Sequence, residues 1–222
     1  MRRLATLLMV LAPALPAPAE ANPLCSWLGL CFYYSPGFEL TVVDADTGTP
    51  LPGVYAWAEW VQYAGHGTRP LVVQDAFSDA AGRVTLPGWG PTSGSRLGLP
   101  LGRDPAVILF KPGYTTMLAQ NSVPPGSSHH AAIRNFWRRG ETLRLQPFQG
   151  AAADWVEQVQ RLAYPAIHSS VPDSHRDQFG AVYLRRAGVA IDELGKLPPD
   201  TAKVESLLRG LDRSVRFYRG EE

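Results

Sequence analysis

The run Phe38-Glu39-Leu40-Thr41-Val42-Val43-Asp44-Ala45-Asp46-Thr47-Gly48-Thr49-Pro50-Leu51-Pro52-Gly53-Val54 decides how this chain folds. Residues 38–43 alternate apolar and polar side chains, the period of a half-buried strand, and Asp46-Thr47-Gly48 supplies turn chemistry directly after it. Residues 50–53 then lead into a second strand over 54–62. Its side chains divide cleanly: Val54, Ala56, Ala58 and Trp60 share one face, and Tyr55, Trp57 and Glu59 share the other.

Outward from that pair the pattern repeats in short β-rich runs. Residues 71–78 form a third strand, Asp79-Ala80-Ala81-Gly82 turns the chain, and residues 83–86 return, a hairpin signal. The glycine- and proline-rich stretch 87–104 reads as a long loop. Residues 106–110 are continuously apolar and branched, the mark of a buried central strand. Lys111-Pro112-Gly113-Tyr114 turns it, residues 115–119 run back, and a second loop covers 120–140. Residues 141–147 close the set, with Leu143 and Leu145 pointing one way. The expectation is a mainly β fold, a seven-stranded β-sandwich over 38–149.

From residue 150 to 222 the composition turns to alanine, leucine and arginine at helical spacing, predicting about three α-helices. Trp155, Val156, Val159 and Leu162 mark the first, which Pro165 should stop. Asp173 can cap the second, whose apolar positions are Phe179, Val182, Tyr183, Ala187, Ala190, Ile191 and Leu194. Gly195 and Pro198-Pro199 end it. Asp200 can cap the third, with Val204, Leu207, Leu208, Leu211 and Val215 in one stripe. Such narrow stripes beside charged faces belong to helices packed on one another or on the sandwich.

The first residues speak to compartment. Arg2-Arg3 precedes an apolar run over 4–15, too short to span a bilayer, and Ala19-Glu20-Ala21 offers small residues where a signal peptidase reads. Residues 1–21 are therefore expected to be a signal peptide cleaved after Ala21, and the protein to be exported: periplasmic, surface-located or secreted. The mature chain is expected to have no transmembrane helix. Without residues 1–21 the chain holds 19 basic and 19 acidic residues, and that balance argues against nucleic acid as a partner. Within the segment 22–37, Cys25 and Cys31 can close a short disulfide loop in an oxidising compartment. Lipidation of Cys25 is the other reading. It fits less well, because Asn22-Pro23-Leu24 precede the cysteine where small residues are wanted.

Three motifs in the β-region point to one family. The stretch from Val42 to Val54 resembles the opening of carboxypeptidase regulatory-like domains, which are transthyretin-like sandwiches: a strand, an Asp-x-x-Thr-Gly turn, then Pro-Leu-x-Gly-Val. Ser78-Asp79-Ala80-Ala81-Gly82-Arg83-Val84-Thr85-Leu86 resembles its second signature. Phe110-Lys111-Pro112-Gly113-Tyr114 resembles its third, and the three come in the family's order. The resemblance implies the sandwich fold and a structural or interaction role, while a shared fold imports no function by itself.

Catalytic chemistry is hard to find. A zinc carboxypeptidase needs a His-x-x-Glu pair, and none of His66, His129, His130, His168 or His175 has glutamate at the third position. In Gly90-Pro91-Thr92-Ser93-Gly94 the serine stands one place late for a nucleophile elbow. His129-His130 is a histidine doublet that binds metal only if further ligands converge. Asn135-Phe136-Trp137-Arg138-Arg139 sets aromatics beside arginines, and Tyr55 with Trp57 suits glycan stacking or burial under helices. No catalytic, cofactor-binding or metal residue is assigned. The expectation is a non-catalytic exported accessory module whose partner is another protein of the cell envelope. The alternative is a glycan- or metal-binding module using loops 87–104 and 120–140.

Overall fold

The computed structural model describes residues 31–63, 68–94, 105–121, 132–168, 173–198 and 201–221. Nine strands lie among them: β1 (Cys31–Ser35), β2 (Phe38–Asp44), β3 (Tyr55–Tyr63), β4 (Thr68–Phe77), β5 (Arg83–Leu86), β6 (Trp89–Gly94), β7 (Ala106–Phe110), β8 (Met117–Ala119) and β9 (Thr142–Leu145). Three helices follow: α1 (Ala152–His168), α2 (Asp173–Leu194) and α3 (Val204–Arg219). The strands form three sheets, ordered β5-β2-β9, β4-β3-β7-β8 and β1-β6. All pairings are antiparallel except β2 with β9, which is parallel. The fold is mainly β.

The alternation on β3 builds two cores. Ala56, Ala58 and Trp60 face the three-stranded sheet and pack with Leu40, Val42, Val84, Leu86, Leu143 and Leu145 from it. Tyr55 and Trp57 face the other way, with Val73 and Phe110, into the apolar stripes of the helices. A central strand buried on both faces reads as apolar on both, as the 54–62 run does. Trp57 and Trp60, on opposite faces, are both fully buried. Burial of so large a ring is worth on the order of 2–3 kcal/mol.

Four expectations need correction. Residues 87–104 are not all loop: β6 lies within them and pairs with β1, which lies in the segment 22–37 that had no assigned strand. Neither carries a clear period-two pattern. β6 reads Trp-Gly-Pro-Thr-Ser-Gly, and the pairing comes from a distant partner. Pro165 does not stop α1, which runs on to His168. Its missing N–H leaves the Arg161 carbonyl unpaired within the helix. The Arg186 guanidinium takes over that role, donating from Nη2 to the Arg161 carbonyl at 3.5 Å and from Nε to the Leu162 carbonyl at 2.5 Å. Finally, α3 starts at Val204 with Lys203 at its cap, at φ 71 and without a side-chain capping bond; Asp200, the expected cap, lies outside the described residues.

The helical stripes fall where the spacing placed them. Phe179, Tyr183, Ala187, Ala190 and Leu194 are buried on α2, and Val204, Leu207 and Leu211 on α3. Among the described residues, no helix is long and apolar enough to cross a membrane.

Candidate functional site

The motif residues come first, because three signatures in order invite a search for chemistry there. Asp44, at the end of β2, accepts hydrogen bonds from the N–H groups of Asp46 and Thr47 at 2.9 and 2.8 Å, and from the Thr47 hydroxyl at 3.0 Å. Its other oxygen accepts the Tyr114 hydroxyl at 2.9 Å. The Thr47 N–H, ahead of the Tyr114 and Thr47 hydroxyls, holds this carboxyl below the usual carboxylate range. Ser78 Oγ donates to the Leu51 carbonyl at 2.6 Å and accepts from the Val54 N–H at 2.8 Å. In the 79–82 turn, Asp79 accepts from the N–H groups of Ala81 and Arg83, both at 2.9 Å. Gly82 stands at φ +73, and its carbonyl accepts the Val42 N–H at 2.8 Å.

Each signature is therefore bonded to the first: Ser78 to Leu51 and Val54, Gly82 to Val42, Tyr114 to Asp44. The motif's polar atoms are spent on joining turns. A carboxylate already holding three or four donors has little capacity left for a substrate proton.

A second polar group lies between sheet and helices. Arg186 of α2 is fully buried, its guanidinium carbon 4.0 Å from the centre of a Trp57 ring. One helical position earlier, Arg185 donates to both oxygens of Asp75 on β4, at 2.9 and 2.5 Å, and the Tyr55 hydroxyl donates to Asp75 at 3.0 Å. Desolvation pushes the Tyr55 phenol and the Glu59 carboxyl up and pulls Arg186 down to about 10. These groups fasten α2 to the sheet. Tyr55 and Trp57 are consequently buried and offer no face to a glycan. Arg186 was legible in one respect: it falls inside the apolar stripe of α2, three residues after Tyr183 and four before Ala190.

The remaining sequence candidates scatter. Ser93 sits on β6 opposite Phe32, in a strand pairing rather than at an elbow. Phe136 is buried against Phe38 at a ring distance of 4.6 Å. The Asn121 side chain clamps that segment, donating to the Asn135 carbonyl and accepting the Trp137 N–H, both at 2.8 Å. Arg138 bonds Glu141 at 2.8 Å, and Trp137 remains exposed. Cys25, the Ala21 cleavage position, His66, His129 and His130 lie outside the described residues, as do 95–104 of the first long loop and 122–131 of the second. His168 and His175 are described only as helix backbone, and Cys31 as the first residue of β1. Among the described residues, no cluster of His, Cys, Asp and Glu could hold a metal ion.

What the described surface does offer is a cleft of about 670 Å³ where the helical layer meets β8. Its strand wall is Thr116, Met117 and Leu118 with Ile108 of β7 behind them. Its helix wall is Glu157, Gln160, Arg161 and Tyr164, one stripe of α1 at intervals of three and four, and Lys203 completes the lining, 3.6 Å from Glu157. Leu118 and Tyr164 are 51% and 56% exposed, high for large apolar side chains facing a common hollow. Thr116 is tied to α1 by two bonds: its N–H donates to Gln158 Oε1, and its hydroxyl to the Gln158 carbonyl, both at 3.1 Å. The cleft's size suits a side chain or short segment rather than a bulk surface.

No family model and no curated protein matches the chain. Among solved structures it is similar to a crystal structure of a 9R-lipoxygenase from Cyanothece PCC8801, at 11% identity and a TM-score of 0.27. That alignment covers 68% of this chain and 26% of the other, so the chain spans about a quarter of that protein's length. A superposition this loose carries no argument about fold or activity.

Proposed function

We propose that this chain is an exported, non-catalytic accessory module that binds another protein of the cell envelope, built on a sandwich of the carboxypeptidase regulatory-like, transthyretin-like type. Support for the sandwich type is the packing of a three-stranded on a four-stranded sheet, with the second and third signatures each bonded to the first. Support for export is the basic, apolar and small-residue order of residues 1–21.

The observation that carries the binding role is the cleft beside β8. The signature side chains are consumed by turns, and the buried charges by the helix–sheet contact. The exposed apolar surface of Leu118 and Tyr164 is left facing a hollow of ligand size. The test is photo-crosslinking in intact cells, with a photoreactive side chain placed at position 118 of the full chain and, as control, at exposed position 205. A discrete adduct with an envelope protein from position 118 alone is the expected result. Full-length protein held in the cytosol, or equal adducts from both positions, would overturn the reading.

A further inference from the structure

We infer that the free edge of β8 accepts a short extended segment of the partner as an added strand, and that this segment carries an apolar residue flanked by acidic ones. The inference rests on the protein-binding reading above and gives the chemistry of what is bound.

The geometry of the cleft wall is the first argument. Successive side chains of a strand point to opposite faces, so a hollow lying over one face meets every second residue. This one meets Thr116, whose N–H is taken by Gln158, and then Met117 and Leu118 in succession, and therefore runs along the edge of β8. β8 pairs with β7 on one side, and among the described residues no strand pairs with it on the other. An unpaired edge presents a row of backbone donors and acceptors to any extended chain that reaches it. The opposite edge of the same sheet, β4, differs, since α2 is fastened to it through Arg185 and Asp75.

Side-chain chemistry gives the second argument. Ile108, Leu118 and the Tyr164 ring offer an apolar seat for one side chain of the incoming strand. Around that seat stand Arg161 and Lys203 against one carboxylate, Glu157, which lies 3.6 Å from Lys203. A segment with carboxylates beside its apolar residue meets a surplus of positive charge, and a basic one is repelled. Three edge residues span roughly 10 Å, so strand addition engages about three to five residues of the partner.

The probe is an acetylated, amidated pentapeptide of sequence Glu-Val-Leu-Val-Glu, titrated into the isotopically labelled full chain and followed by amide chemical shifts. Shifts should concentrate at residues 116–119 and 160–164. Replacing both glutamates by lysine should weaken binding by about tenfold or more, and Arg161→Glu should reverse that preference. N-methylation of two successive central amides, one at a time, should abolish binding for the amide that faces β8 and spare the other. Equal binding of the acidic, basic and methylated peptides would reduce the cleft to a merely apolar patch and overturn the inference. So would no shift at residues 116–119 up to about 1 mM peptide. If cross-linking from position 118 succeeds while the peptide fails, the module binds its partner by another geometry. If the cross-link fails as well, the protein-binding reading falls with it.

Discussion

At Gly82 a single added methyl group should cost the fold a large share of its stability. The residue holds φ +73, a conformation that costs an alanine about 1–2 kcal/mol. A Cβ placed there would also stand 2.4 Å from the Val42 carbonyl oxygen and 3.1 Å from the Leu51 nitrogen. Both neighbours are backbone, and they are already joined: the Leu51 N–H donates to the Val42 carbonyl at 2.9 Å, and the Val42 N–H donates to the Gly82 carbonyl at 2.8 Å. Clearing the overlap means pushing the 79–82 turn off β2 and losing one of these buried bonds, about 1–3 kcal/mol more. Gly82→Ala should therefore cost about 2–5 kcal/mol in all. Gly113 separates the two effects. It stands at φ +81 with nothing within 4 Å of the added carbon, so Gly113→Ala should cost only the conformational part, about 1–2 kcal/mol. Urea unfolding followed by fluorescence of the buried Trp57 and Trp60 measures both, provided the slope with denaturant is unchanged. Equal losses at the two glycines would show that no close approach to β2 exists and that the turn is wrongly placed.

Two further outcomes are expected. Arg186→Ala removes the donor to the carbonyls beneath Pro165 and leaves a cavity against Trp57, and should cost on the order of 2–4 kcal/mol. Arg186→Met, which keeps the volume and discards a desolvated charge, should cost less. In both, hydrogen exchange at residues 166–168 should quicken, and unchanged exchange would mean that the arginine does not hold the end of α1. In acid, the Thr47 N–H holds the Asp44 carboxyl below the usual range, and the Arg83 N–H does the same for Asp79. Folding thus favours the ionised forms, so their stabilisation is full above about pH 4 and is lost as pH falls further. Asp44→Asn should flatten that acid limb of a melting-temperature profile, and an unaltered limb would refute the assignment.

The division of side chains on β3 was legible because a strand's period of two is local. Val54, Ala56, Ala58 and Trp60 could be set apart from Tyr55 and Trp57 with no knowledge of what either face meets. The turns were legible for the same reason: Gly48, Gly82 and Gly113 all sit at positive φ, and Asp44 and Asp79 bond the backbone just beyond them. What stayed hidden is whatever a distant partner decides. β1 and β6 are strands because of each other, across more than fifty residues, and Trp-Gly-Pro-Thr-Ser-Gly carries no pattern of its own. Pro165 misled because the rule against proline within a helix concerns an unpaired carbonyl, and Arg186 supplies the pairing from another helix. The cleft was illegible altogether. Its walls come from β7, β8, α1 and the residue before α3, and no single stretch among them looks like a site.

That the cleft exists follows from where the third helix goes. A four-stranded sheet has two edges and one outer face to cover. Here α2 is fastened at the β4 edge by Arg185, while α1 meets β7 through Trp155, 5.8 Å from Phe110, and is tied to Thr116 just before β8 through Gln158. Laid beside α1 on the sheet, α3 would cover β8. Its stripe is instead directed at the other helices: α3 packs on α1 and α2, and Tyr218 stacks on Tyr183 with ring centres 4.8 Å apart and planes 3° from parallel. The second core gains a helical layer in this way, and among the described residues no strand or helix covers the β8 edge of the sheet beside it. Leu118 and Tyr164 lie along that opening, so their exposure is a consequence of how the helices choose their neighbours. A substitution that loosened α3 from Tyr183 would change the shape of the cleft without touching any residue that lines it.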